Sequence, residues 1–96
     1  MNSKEKGQKS YRELERLVRG FANHRRIQIL EILKKNPEMS VDEITTFLDI
    51  NYKTVADHVR RLAIAGLVLK RSQDVSVRHR ITNRAESILK FLRTLE

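Results

Sequence analysis

The sequence contains no cysteine, which removes disulfide staples, thiolate metal sites and a cysteine nucleophile together. It is also poor in glycine. Gly7, Gly20 and Gly66 stand far apart, so neither a phosphate-cradling loop nor a dinucleotide fingerprint can be assembled from them. No apolar run approaches the ~20 residues of a membrane span. Met1–Ser10 is Lys-rich and polar with no apolar core behind it, so it reads as a flexible basic tail and not as a secretory signal. A cytoplasmic, nucleoid-associated location is the expectation. The histidines His24, His58 and His79 are widely spaced, and no two share an i, i+4 step, so no metal site is expected. Asp57 and His58 are neighbours in a helical stretch, pointing about 100° apart, and do not form a catalytic pair. No enzyme activity, cofactor or metal is read from the chain.

What the sequence does have is positive charge. Its 96 residues suffice for one small domain, and its 40% apolar and 33% charged residues describe a globular chain with net charge +8. The excess is uneven. Residues 51–84 carry eight basic side chains (Lys53, Arg60, Arg61, Lys70, Arg71, Arg78, Arg80, Arg84) against Asp57 and Asp74. Self-repulsion of that size is costly unless a polyanion is the partner. Nucleic acid, an anionic membrane surface and a merely solvated basic surface all remain open from charge alone.

Periodicity supplies the elements. Tyr11, Leu14, Leu17, Val18 and Phe21 recur at helical spacing and predict a first helix over about 11–20, with Gly20 placed to end it. Asn23 caps a second helix carrying Ile27, Ile29, Leu30, Ile32 and Leu33, which stops at Asn36-Pro37. Ser40 and Glu43 form a capping box for a short third helix whose apolar face is Val41, Ile44, Phe47 and Leu48. Asn51 caps a fourth helix (51–65) with a buried stripe of Val55, Val59 and Leu62, and Gly66 takes the left-handed exit. Leu67–Arg71 reads as a strand and Ser72-Gln73-Asp74 as a turn. Val75, Val77, His79 and Ile81 then alternate with Ser76, Arg78 and Arg80, giving a hairpin with one apolar and one basic face. Thr82 or Asn83 caps a last helix bearing Ala85, Ile88, Leu89, Leu92 and Leu95. The fold class is mainly α with a small β-hairpin, in the order α-α-α-α-β-β-α.

The third and fourth helices match a helix-turn-helix. The second of the pair must bury one face and offer the other to a major groove, which is wide enough for one helix. Val55, Val59 and Leu62 lie within about 60° of each other, while Lys53, Asp57, Arg60 and Ile64 point the opposite way. Thr54 and Arg61 flank that surface. Tyr52, Lys53, Thr54, Asp57 and His58 sit nearest the helix start and are candidate base readers; Arg60 and Arg61 are candidate phosphate contacts. Two roles stand for Asp57, a cytosine contact or an intrahelical pair with Arg61. Two also stand for His58, contact with DNA or packing at the edge of the stripe. His79, inward on the hairpin, reads as a packing imidazole. Lys70, Arg71, Arg78 and Arg80 make a four-cation flap suited to phosphates or an adjacent minor groove.

Residues 21–30, Phe-Ala-Asn-His-Arg-Arg-Ile-Gln-Ile-Leu, resemble the opening of the ArsR-type winged helix-turn-helix repressors: an apolar residue, Ala or Gly, Asp or Asn, Pro, any residue, Arg, then an Ile/Leu-rich helix. Thr54–Leu62 followed by Ala65-Gly66-Leu67-Val68 is similar to that family's recognition helix and its exit into the wing. The resemblance covers about residues 11–90. It implies a homodimer built from the first and last helices, here through Tyr11, Leu14, Leu17, Val18 and Phe21 with Ile88, Leu89, Phe91, Leu92 and Leu95. The sequence departs from the family in several places. The metal-sensing cysteine positions are Ser40 and Asp42, the last helix carries no histidine, His24 replaces proline, the wing turn lacks glycine, and apolar Ile64 stands where a polar residue is usual.

These readings converge on a sequence-specific, double-stranded DNA-binding transcriptional regulator. It would be a homodimeric repressor reading a palindromic operator with the fourth helix and a basic wing (67–82). Asn51 would join the readers, and Ser40 at the start of the third helix would hold a phosphate. The alternative is a winged-helix module for protein contacts in a transcription assembly, or for nonspecific DNA compaction. No membrane partner is expected, and nothing in the sequence names an effector. The expectation on which the regulator reading rests is that the cations of 51–84 share one continuous side.

Overall fold

Each helix start is built by a side chain that satisfies the first free backbone N–H groups. In the computed structural model, which describes residues 7–96, the elements are α1 (Tyr11–Phe21), α2 (His24–Lys35), α3 (Val41–Leu48), α4 (Tyr52–Ile64), β1 (Val68–Gln73), β2 (Ser76–Ile81) and α5 (Asn83–Arg93). Residues 1–6 of the expected tail lie outside the described residues. Ser10, assigned to that tail, instead caps α1 in a reciprocal box with Glu13. Asn23, Ser40, Asn51 and Thr82 cap the other four helices.

The helix ends depart from expectation in one place. Gly20 does not terminate α1, which runs on to Phe21. Its missing side chain serves close packing: a Cβ there would stand 2.5 Å from the Cβ of Ala65, so α1 leans on the end of α4 at hydrogen-only distance. Gly66 does adopt the left-handed conformation (φ 75°) that turns the chain from α4 into β1. Asp49 takes the same region at the end of α3 and sets up the tight turn into α4.

The core is formed by Ile29, Leu30 and Leu33 of α2, Ile44 of α3, Val55, Val59 and Leu62 of α4, Leu67 and Val68, with Ala85 and Leu89 of α5. Burying each large aliphatic chain contributes roughly 1.5–3 kcal/mol, so α2 and α4 hold the domain together. Phe47, expected on the apolar face of α3, is instead 61% exposed. Leu89, expected at a dimer interface, is only 3% exposed and belongs to the chain's own core.

The hairpin is antiparallel, with Gln73 opposite Ser76, so its loop is Asp74-Val75 alone and Ser72 and Gln73 continue the strand. Left-handed Asp74 (φ 55°) does the work of the absent glycine, and Val75 stands fully in solvent at the tip. Sequence periodicity did not reveal a further pairing. Met39, before α3, bridges to His79 of β2, with Glu38 N donating to His79 O (2.9 Å) and His79 N to Met39 O (3.1 Å). The imidazole Nδ1 also lies 2.8 Å from Met39 O. His79 is therefore the expected packing imidazole, buried, with burial pushing its pKa down. It locks the base of the wing to the segment entering α3.

Candidate nucleic-acid interface

α4 presents its stripe inward and its charge outward. Val55, Val59 and Leu62 are buried completely or nearly so, whereas Asn51, Tyr52, Lys53, Thr54, Arg60 and Arg61 are exposed. Asn51 Oδ1 accepts from the backbone N–H groups of Lys53 (2.7 Å) and Thr54 (3.2 Å), which fixes the first turn and leaves the side-chain amide free to donate. Among the described residues, the ammonium of Lys53 and the hydroxyl of Thr54 have no partner, and Lys53 makes no ion pair. A donor ammonium beside a hydroxyl and its methyl, at the first turn of an exposed helix, is suited to base edges in a major groove.

The second half of α4 differs. Asp57 is gripped by both neighbouring arginines, Arg60 Nη2 at 2.7 Å and Arg61 Nε at 3.0 Å, and these hydrogen bonds hold its carboxyl down at about 2. This is the intrahelical role of the two anticipated, extended to a second arginine. His58 likewise faces its own protein: its Nδ1 accepts from Arg26 Nε at 3.1 Å. Burial, and then the Arg26 charge, push its pKa down, so the ring is a neutral acceptor. Arg26 also donates to the carbonyls of Arg19 (3.1 Å) and Gly20 (3.3 Å). The arginine of the 21–30 motif thus ties the end of α1 to the middle of α4, a role that sequence reasoning did not assign.

Of the four cations expected on the wing, three share one face. In the observed register Leu69 lies opposite Arg80 and Arg71 opposite Arg78, all on one face, while Lys70 lies opposite His79 on the other. Lys70 is exposed there without an ion-pair partner among the described residues. The three arginines are answered by carboxylates outside the hairpin. Glu38 accepts from Arg71 Nη2 (2.6 Å) and pairs with Arg80 Nε (3.3 Å); Glu43 accepts from Arg78 Nη1 (2.9 Å). Arg78 Nη1 also reaches Glu38 O at 3.3 Å. Ser40, expected to hold a phosphate, uses its hydroxyl oxygen to accept from Glu43 N (3.2 Å) and stands next to these two acids. The eight cations of 51–84 therefore fall into groups: Lys53 at the start of α4; Arg60, Arg61 and Arg84 turned toward α1; the three paired wing arginines; and Lys70 on the opposite wing face, so the expected single continuous side does not include Lys70, which strand alternation turns away.

α1 buries none of its residues, and its outer face exposes Tyr11, Leu14 and Val18. Leu17, Phe21 and Ile88 pack on the domain's own core, and Leu92 is half-buried. Phe91 and Leu95 are exposed. Of the ten apolar residues expected to join two copies, these five exposed ones remain the candidates.

A family model described as winged helix-turn-helix DNA-binding matches residues 23–68, from the cap of α2 to the first residue of β1. No curated protein matches the sequence. Solved structures do match. One is the homodimeric winged helix-turn-helix DNA-binding domain of Mb0332 from Mycobacterium bovis, described as a possible ArsR-family transcriptional regulator. It is 26% identical at a TM-score of 0.79, covering 88% of this chain and 78% of that one. HlyU from Vibrio cholerae is 28% identical at a TM-score of 0.75, covering 88% and 91%. The transcriptional repressor PagR of Bacillus anthracis is 25% identical at a TM-score of 0.74, covering 86% and 99%. The chain has the winged helix-turn-helix fold and is similar to ArsR-like DNA-binding regulators of transcription. No helix among the described residues is long and apolar enough to cross a membrane.

Proposed function

We propose that this chain is a homodimeric, sequence-specific regulator that binds double-stranded DNA and represses transcription by occupying its operator. The observation that carries the reading is the first turn of α4. There Tyr52, Lys53 and Thr54 are exposed on a helix whose opposite stripe is wholly buried, and neither Lys53 nor Thr54 is engaged by the protein itself. Asn51 adds a free amide. Arg60 and Arg61 then reach phosphates, and the wing arginines do so by exchanging Glu38 and Glu43 for the DNA backbone.

Dimerisation is supported by the exposed Leu14 and Val18 of α1 and by Phe91 and Leu95, which are costly to leave in water, and by the homodimeric state of the Mycobacterium domain. A two-fold dimer reads an imperfect palindrome with half-sites about one helical turn, ~34 Å, apart. Repression is supported by the description of PagR as a repressor.

Nuclease footprinting on DNA from the chain's own genome tests the reading. A bounded, two-fold footprint that survives competitor DNA is expected. Uniform coverage would mean compaction, and no footprint would mean a protein-contact module; either would overturn the proposal.

A further inference from the structure

Ile64 is 74% exposed on the outward side of α4, and DNA reading gives it no task. It lines a cleft of about 430 Å³ between α1 and the C-terminal half of α4. The lining holds seven cationic side chains against one carboxylate, Glu13. Arg60 and Arg61 come from α4, Arg84 from the start of α5, Arg16 from α1 and Arg26 from the first turn of α2. The apolar members are Leu17 and Ile64, with Gly20 and Ala65 where the two helices touch.

The cleft is built and not accidental. Gly20 packed on Ala65 fixes how closely α1 approaches α4. Arg26 is held by two carbonyls of α1 and by His58, and Arg84 Nη1 donates to the carbonyl of Ala65 at 3.3 Å. Their guanidinium groups therefore keep their positions without a carboxylate partner. Arg16 makes no ion pair among the described residues. Gathering so many cations around one concavity is unfavourable until an anion enters. The nearby acids neutralise only part of it: Asp57 spans Arg60 and Arg61, and Glu15 takes Arg19 (3.2 Å), which leaves Arg16, Arg26 and Arg84 without an ion pair among the described residues.

We propose that this cleft is a binding site for a small organic polyanion carrying two or more phosphate or carboxylate groups on an apolar body. The anionic groups meet Arg16, whose planar fork suits a bidentate contact, and the guanidinium N–H groups that Arg26 and Arg84 do not spend on the protein's own carbonyls and His58. The apolar body packs on Leu17 and Ile64. Ile64 at this otherwise polar surface gains a purpose, and a volume of this size accepts a ligand larger than a single phosphate. Occupancy also draws on Arg60 and Arg61, so the ligand weakens DNA binding. That consequence rests on the proposed function; the binding site does not.

The test is titration calorimetry of the full chain with two probes, a magnesium-free nucleoside triphosphate and inorganic tripolyphosphate. Saturable binding of one triphosphate per chain at physiological salt is expected. Arg16→Glu and Arg84→Gln, both at exposed positions, should each weaken it by about tenfold or more. Lys53→Ala and Lys70→Ala, outside the cleft, should leave it unchanged. Ile64→Ala should weaken the nucleoside triphosphate and spare tripolyphosphate. Absence of saturable binding, or equal losses in the Lys70 variant, would overturn the site. So would a shallower salt slope of DNA binding in Arg16→Glu without any triphosphate binding, because the cleft would then seat the DNA backbone. A chain that binds triphosphate but no DNA would uphold the site and sink the function proposed above.

Discussion

The first turn of α4 and the basic face of the wing look alike as sequence, since both are cations beside small polar residues, but the fold treats them in opposite ways. Lys53 and Thr54 are left unengaged, whereas Arg71, Arg78 and Arg80 are tied to Glu38 and Glu43. The difference teaches that a cation's position does not settle its availability; the nearest carboxylate does. Surface ion pairs contribute little to stability, a median of about 0–1 kcal/mol, so the acids on the wing do little to hold it up. Their consequence is to hold the arginines in position and to lower their net charge until phosphates compete for them. Under the proposed function, the start of α4 would carry recognition and the wing an affinity that is partly masked.

The largest test removes what both regions depend on. Leu14→Glu combined with Phe91→Glu should yield a monomer in sedimentation, because it places charges in the two exposed apolar faces. The loss of linked half-sites should weaken operator binding by on the order of 10²–10⁴-fold. A dimer of unchanged strength would refute the assignment of these faces.

Next comes the first turn itself. Lys53→Ala should cost roughly 1–3 kcal/mol on the preferred sequence and relax the choice of base at one position per half-site. A loss that is uniform over all sequences would make Lys53 a phosphate contact and dissolve the distinction between the regions.

A smaller effect of opposite sign is expected at the wing. Glu38→Gln frees Arg71 and Arg80, so DNA binding should tighten, and the salt dependence should steepen by up to about two units of slope. Binding that weakens instead would show that the Glu38 pairs hold the wing in its working shape.

The smallest expected effect is on stability. Burial pushes both His58 and His79 below the ordinary imidazole pKa. The unfolded chain therefore binds more protons, and stability is full above about pH 6.5 and declines as the pH falls below it. The melting temperature should drop between about pH 7.5 and 5.5, and drop less in His58→Gln, whose amide oxygen can still accept from Arg26. Asp57, held at about 2, stays ionised throughout that range and does not contribute to the drop.

The framework of the fold was legible because its signals are local. Asn23, Ser40, Asn51 and Gly66 act within a turn of their own position, and the stripe Val55, Val59, Leu62 needs only helical periodicity. Strand alternation also separates Lys70 from Arg71, yet grouping the wing cations by neighbourhood in the chain hid it. The partners of those cations were not legible, since Arg71 finds Glu38 across 33 residues and Arg78 finds Glu43 across 35. Such pairings arise only once Met39 bridges to His79 and draws the segment before α3 against the wing. The close approach at Gly20 depends likewise on Ala65, from another helix, and an end-of-helix glycine has the same appearance in sequence.

Selection from random-sequence DNA with the purified chain puts the central claim to its most direct test. The expected result is an imperfect palindrome with half-sites about 10 base pairs apart, whose strongest positions change identity preference in Lys53→Ala. Recovery of no motif, or of one unaltered by substitution in the first turn of α4, would contradict it.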